Sequence, residues 1–312
     1  MSGENAAPVS SSSRTRATLF VLFSACCFGS ISIFTTIAMR SGARLIDVLF
    51  WRFALAAVLL VVVSGGIAAV RLPARQALSL GILTGGGQAA VAFVSLSALK
   101  FIPVATLTFL FYTYPAWVAV IAAVRGTERL TLPRVMALAL SLSGILLMVG
   151  MPGSGGLHPA GVALALLGAL LYAAYIPMIN QLGAGLEPSV TSTYAAGGAA
   201  VVLLAASAFQ GGLQATMAPL AWSAIAALAV LCTVIAFIIF LRGLAVIGPV
   251  RTGIISTVEP FWTALLGSVV LGQQLGPRTF AGGVLIAAAV VVLQLGGSRV
   301  ERSGADSVLH PD

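Results

Sequence analysis

In this chain of 312 residues, 59% are hydrophobic and only 8% charged. A soluble domain carries about 25% charged residues, so there is too little polar surface here to cover a water-soluble core. The net charge is +8 and the mean hydropathy +1.08. The arginines sit in short connections between apolar runs, which is the positive-inside pattern of a membrane protein and not a nucleic-acid signal.

Residues 1–17 are polar and Ser-rich and read as a disordered cytoplasmic N-terminus. The apolar run that follows is too long for a signal-peptide core and reads as a span that stays in place. Spans are predicted at about 18–39, 47–70, 77–99, 102–124, 134–151, 159–181, 189–209, 218–241, 250–271 and 279–297, each near the roughly 20 residues that cross a bilayer. Helix is the expected form, because it satisfies its own backbone in lipid. Residues 298–312 read as a cytoplasmic tail.

The runs are written twice, 145 residues apart. Leu99, Ile102, Pro115, Trp117 and Leu130 recur as Leu244, Ile247, Pro260, Trp262 and Leu275. With only 14 Pro and 4 Trp in the chain, a repeated Pro-x-Trp is informative where Leu and Ile matches are not. The repeats are taken as 18–151 and 152–297. Five crossings per repeat start the second copy from the opposite side, an arrangement typical of alternating-access transporters. The predicted fold is therefore all-α: ten transmembrane helices as two inverted five-helix repeats around a central cavity. With both termini cytoplasmic, ten Lys and Arg lie inside against four outside, Arg52 and Arg251 being set aside within spans. The Gly85-Gly86-Gly87 and Ala195–Ala200 stretches are read as small-residue packing faces.

Three passages carry a family resemblance. They are Phe50-Trp51-Arg52-Phe53; the stretch from Leu99 through Tyr114-Pro115-Ala116-Trp117 to Glu128-Arg129-Leu130-Thr131; and Val258-Glu259-Pro260-Phe261-Trp262 followed by Leu271-Gly272-Gln273-Gln274-Leu275-Gly276. Together they resemble the EamA-type transporters of the drug/metabolite transporter superfamily. The resemblance implies a basket-like bundle in a bacterial cytoplasmic membrane that exports amino acids, other metabolites, or aromatic or cationic drugs. The chain departs from that family's pattern after the ninth span, where Gln273 and Gln274 stand in place of a counterpart to Glu128.

Glu259 is the one acid placed deep within a span. An ionised carboxylate there costs on the order of 3 kcal/mol by insertion scales, so it is the candidate for proton coupling or for holding a substrate amine. The bland alternative is a structural carboxylate bonded to a neighbouring helix. Pro260 lacks an N–H and frees a carbonyl one turn earlier; Pro115 and Pro177 are the other expected helix breaks. Substrate-binding candidates are Gln88, Tyr112, Tyr114, Tyr175, Asn180 and Trp262, with Tyr172 beside them, since aromatic faces take apolar and cationic groups. Arg52 is a further candidate, for a substrate carboxylate or for pairing with Asp47, although snorkelling to the outer interface is the favoured reading. Tyr114 stands at the register position of Glu259, which places the coupling chemistry in the second half. Ser30, Ser32, Thr35 and Thr36 are expected to bond back to their own helix.

The leading expectation is a secondary exporter of an amino-acid-like metabolite or drug, coupled to protons, acting as monomer or homodimer. No Gly-x-x-x-x-Gly-Lys-Ser/Thr motif supports ATP use. The alternatives are an uncoupled facilitator or, further off, a non-transporting membrane protein. An intramembrane enzyme is disfavoured by one deep acid and no histidine in a span. Three cysteines within apolar runs (Cys26, Cys27, Cys232) and two peripheral histidines (His158, His310) suggest neither metal nor cofactor.

Overall fold

The computed structural model describes residues 11–126, 131–149 and 157–309, and every regular element among them is a helix. Glu128 and Arg129 lie outside the described residues. Among the described residues, eight helical stretches are long and apolar enough to cross a membrane: Ser13–Arg40, Leu45–Val63, Ala74–Lys100, Val104–Val124, Pro159–Leu182, Pro188–Ala208, Pro219–Gly248 and Arg251–Leu271. Two shorter apolar helices, Leu132–Leu147 and Pro277–Leu293, occupy the fifth and tenth positions.

Several of these stretches are interrupted; together with the two shorter helices they are numbered one to ten in chain order. The first is split at Ser30 into α1 (Ser11–Gly29) and α2 (Ile31–Arg40). Helix is already present at Ser11, ahead of the boundary expected at residue 17. The second and third crossings are α3 (Leu45–Val63) and α4 (Ala74–Ser97); the fourth is split into α5 (Val104–Phe111) and α6 (Tyr114–Val124). Then come α7 (Leu132–Val149), α8 (Pro159–Leu182) and α9 (Pro188–Ala208). The eighth crossing begins as α10 (Pro219–Ala229), widens into a π-helical segment over Val230–Ile235, and continues as α11 (Ala236–Ser256). Within α11, Gly248 turns the chain at φ +78°, ψ 167°, a conformation that costs a glycine little. This kink separates the eighth crossing from the ninth, which runs on into α12 (Val258–Leu271). The last helix, α13, extends from Pro277 to Leu309, past the expected end at 297.

The break at Tyr112–Thr113 and the one at Thr257 share a local cause. Thr113 Oγ1 donates to Leu110 O at 2.7 Å, and Thr257 Oγ1 donates to Ile254 O at 2.7 Å. Each hydroxyl competes with the backbone for a carbonyl of its own helix, and each Thr is followed within three residues by a proline that cannot donate. Pro177 behaves differently. It lies inside α8, which continues to Leu182, so the break expected there is absent.

The two halves interlock. α4 packs on α9 and α8, α3 on α9, α1 on α11 and α12, α6 on α8, and α7 on α13. At the α4–α9 crossing, Gly85 meets the backbone of Gly198, and Gly198 in turn faces the Gly81 carbonyl; a Cβ at either glycine would overlap main chain. Close backbone approach of this kind lets helices gain dispersion energy where lipid supplies no hydrophobic drive. The small-residue stretches thus pack against each other.

Connections that follow odd-numbered crossings gather at one end. Arg44 bonds Asp47 Oδ2 at 2.6 Å and Oδ1 at 2.9 Å, and reaches Gln210 O at 2.8 Å and Gly212 O at 2.6 Å. Asp47, fully buried, also accepts from Gln214 N at 3.0 Å. Arg40 donates to Leu271 O at 3.4 Å, Gln273 Oε1 accepts from Val104 N at 3.0 Å, and Phe101 stacks on His158 at 4.8 Å. Gln273 is therefore a fastening between connections. His158 caps α8 by accepting from Ala160 N at 3.3 Å.

Candidate functional site

The interrupted crossings converge. Because Pro260 has no N–H, the Ser256 carbonyl loses its helical donor. That carbonyl instead accepts Tyr112 Oη at 2.7 Å, and the same hydroxyl lies 2.8 Å from Glu259 Oε2. A tyrosine hydroxyl carries one proton and two lone pairs. It can donate to Glu259 or to Ser256 O, but to only one at a time. The first-half break thus supplies the hydroxyl, and the second-half break supplies both the carboxylate and the freed carbonyl.

Aromatic rings continue from this point. Tyr112 and Tyr114 have centroids 6.0 Å apart, Tyr114 and Tyr172 4.9 Å, and Tyr172 and Tyr175 6.3 Å, with Phe111 5.3 Å from Tyr172. Tyr112 and Tyr175 are buried, whereas Glu259, Tyr114 and Tyr172 keep part of their surface accessible. The ring of Tyr175 lies over Gly87, next to half-buried Gln88. Asn180, in contrast, is exposed in the last turn of α8. Arg251 is also exposed.

On the opposite flank, Gly29 lets α1 approach the Glu259 backbone and Thr263. Thr263 Oγ1 donates to Gly29 O at 2.7 Å, and Trp262 Nε1 donates to Ser30 Oγ at 3.1 Å. Trp262 has no other donor, so its polar atom is committed to the fold. Ser30 and Thr36 bond back to Cys26 O at 2.8 Å and Ser32 O at 2.7 Å, while Thr35 Oγ1 is sealed without a partner.

The 145-residue register exposes an imbalance. Trp262 and Ser30 correspond to Trp117 and Tyr175, and α6 packs on α8 as α12 packs on α1. The second pair is unsatisfied: Trp117 Nε1 and Tyr175 Oη are both buried with no hydrogen-bond partner. Trp262→Phe is therefore expected to cost about 1 kcal/mol through its lost hydrogen bond, whereas Trp117→Phe is neutral or stabilising because it removes an unmatched donor. Thermal unfolding of the two purified variants checks the difference.

Two of the three readings offered for Arg52 from sequence, pairing with Asp47 and snorkelling, need correction. Asp47 pairs with Arg44, three residues away and better placed on the helix than Arg52. Nor does Arg52 snorkel: it is 6% exposed and donates from Nε to Thr233 Oγ1, 3.1 Å away in the π-helical segment. Cys232, the neighbour of that threonine, is buried. The π-helical segment and its Thr233 had no signal in the residue pattern. Among the described residues, no group of three or more His, Cys, Asp or Glu forms a metal site.

Both halves of the chain match one family pattern, that of the EamA-like transporter family, over residues 15–150 and 159–295. The chain belongs to the EamA-like transporter family. It is similar to the uncharacterized transporter YcbK of Bacillus subtilis (strain 168), 29% identical over 275 residues that span 83% of this chain and 86% of that protein. A solved crystal structure, 19% identical, covers 92% of this chain and 99% of its own with a TM-score of 0.63, so the fold is shared. The cluster of tyrosines around Glu259 accordingly sits in the core of a membrane transporter built from two related halves.

Proposed function

We propose that this transporter is a proton-coupled secondary exporter of a small, amino-acid-like metabolite or drug, working by alternating access in a bacterial cytoplasmic membrane. In this reading the chain makes ten crossings as two inverted five-helix repeats, bounded near 18–151 and 152–297, with both termini cytoplasmic. The gathering of the connections after odd-numbered crossings at one end supports that topology, since the second repeat then begins where the first crossing finishes. The arginine bias supports the orientation.

The observation that carries the coupling is the Tyr112 hydroxyl shared between Glu259 and Ser256 O. When Glu259 is ionised, Tyr112 donates to it and the Ser256 carbonyl at the helix break is left without that proton. When Glu259 is protonated, it donates to Tyr112 Oη, which is then free to donate to Ser256 O. Proton binding thus changes which groups hold the fourth and ninth crossings together, giving the proton a differential interaction with two states, as coupling requires. Substrate would enter against Tyr114, Tyr172 and Tyr175, whose faces suit apolar and cationic groups.

The test is uptake of a metabolite and drug panel into proteoliposomes with an acidic interior. Gradient-stimulated uptake supports the exporter. Uptake that equilibrates without regard to pH identifies a facilitator, with Glu259 held structurally by Tyr112.

A further inference from the structure

We propose that Arg52 is the anion-binding pole of the transport site, taking a carboxylate or similar oxyanion of the solute; this rests on the transporter reading above. Arg52 is the eighth residue of α3, about 10 Å into the crossing at 1.5 Å per residue, and is almost wholly buried. The nearest acid in sequence, Asp47, already accepts two hydrogen bonds from Arg44 and one from Gln214 N. Arg44 and Asp47 pair with each other, and among the described residues no acid pairs with Arg52.

A guanidinium has five N–H donors in a planar fork. Among the described residues, only Nε finds a protein acceptor, Thr233 Oγ1, which itself donates to Leu228 O at 2.8 Å. Among the described residues the Arg52 Nη groups have no acceptor, and the residue keeps 6% of its surface accessible. Packing of the guanidinium 5.1 Å from the Phe53 ring centroid leaves its outer edge unengaged.

A buried cation without a counter-charge is costly, and a bidentate carboxylate on the two Nη groups is the ligand that matches this fork. Fastening α3 to the π-helical segment explains the Nε bond alone. It leaves four N–H groups without a role. Such π-helical segments occur frequently at functional sites, and Val234 within this one and Phe53 beside Arg52 belong to one buried apolar cluster with Tyr112. The positive pole therefore belongs to the same core as the tyrosine–glutamate cluster.

The experiment is ligand-dependent thermal unfolding of the purified full-length protein in detergent. The probes are acetate, phenylacetate, indole-3-acetate and the methyl esters of the two aromatic acids. The acids should raise the midpoint saturably and the esters should not. Arg52→Lys, which keeps the charge without the fork, and Arg52→Met should each weaken acid binding by about tenfold or more. Thr233→Val, which removes only the Nε acceptor, should retain acid binding. Esters that bind as tightly as acids, acid binding that survives Arg52→Met, or no saturable response to any acid overturns the assignment. If Arg52→Met does not fold, the acid–ester comparison in the wild type and Arg52→Lys decides. Binding in detergent needs no gradient, so acid binding through Arg52 without proton-driven flux would sink the coupling and leave this pole standing.

Discussion

Glu259→Gln is expected to abolish pH-gradient-driven transport while leaving the folded protein intact. Glutamine is nearly isosteric, and its side-chain oxygen still accepts from Tyr112 Oη, so the contact seen at 2.8 Å survives. What it cannot do is gain or lose a proton. The amide can accept from Tyr112 Oη or donate to it, but the choice no longer depends on a proton, so the gradient no longer shifts the balance between states. Flux into acid-loaded proteoliposomes should fall at least about tenfold, equivalent to roughly 1.4 kcal/mol of lost driving interaction. Exchange of solute at equal pH should persist. Tyr112→Phe separates the parts of the device. It keeps the carboxylate but leaves Ser256 O at the Pro260 break without its donor, so both driven flux and thermal stability should fall. Equal gradient-driven flux in wild type and Glu259→Gln would rule out coupling through this residue.

Gly198→Leu and Gly85→Leu are expected to prevent accumulation of folded protein. At most core positions an added side chain displaces another side chain, at a cost of about 1–3 kcal/mol. Here it meets main chain: a Cβ on Gly198 would run into the Gly81 carbonyl, and one on Gly85 into the backbone of Gly198 and Ala199. Neither helix can yield without parting α4 from α9, so the loss should exceed the upper end of that range. The neighbours provide the control. A Cβ on Gly86 meets nothing within 4 Å, and one on Gly197 touches only the Ala57 methyl at 3.9 Å. Gly86→Ala and Gly197→Ala should therefore match or slightly exceed wild-type stability, because alanine favours the helix. Yield of monodisperse protein after extraction, with unfolding midpoints, distinguishes the two classes.

How much of this was legible in the residues depended on distance along the chain. Apolar runs and their 145-residue register are properties of the linear pattern, and they led to the family. The consequence of Pro260 was legible too, since a missing N–H always frees the carbonyl four residues back. Which group would take that carbonyl was not, because Tyr112 arrives from 144 residues away in sequence. The burial of Arg52 was not legible for the same reason. Arg52 bonds Thr233 in the π-helical segment Val230–Ile235, and nothing in Val-Leu-Cys-Thr-Val-Ile distinguishes such a segment from ordinary helix. Gln88 and Asn180 sit on neighbouring crossings as equally plausible polar residues, yet one is half-buried beside the tyrosine cluster and the other exposed at a helix end. The split of the first crossing at Ser30 follows from its contacts with α12, where Trp262 and Thr263 bond Ser30 and Gly29.

The interlocking of the two halves also bears on how the protein is made. Most crossings of the first half take their principal partners from the second: α4 from α8 and α9, α1 from α11 and α12, α7 from α13. Chains emerge from the ribosome N-terminus first, so the Gly81–Gly85 face of α4 must wait in lipid for α9, and α7 must wait for the final helix. The first half consequently lacks most of its helix partners until the second half has been made. A chain truncated after α12 would leave α7 without α13 and would be seen by quality-control proteases as unassembled, although it carries every residue of the tyrosine–glutamate cluster.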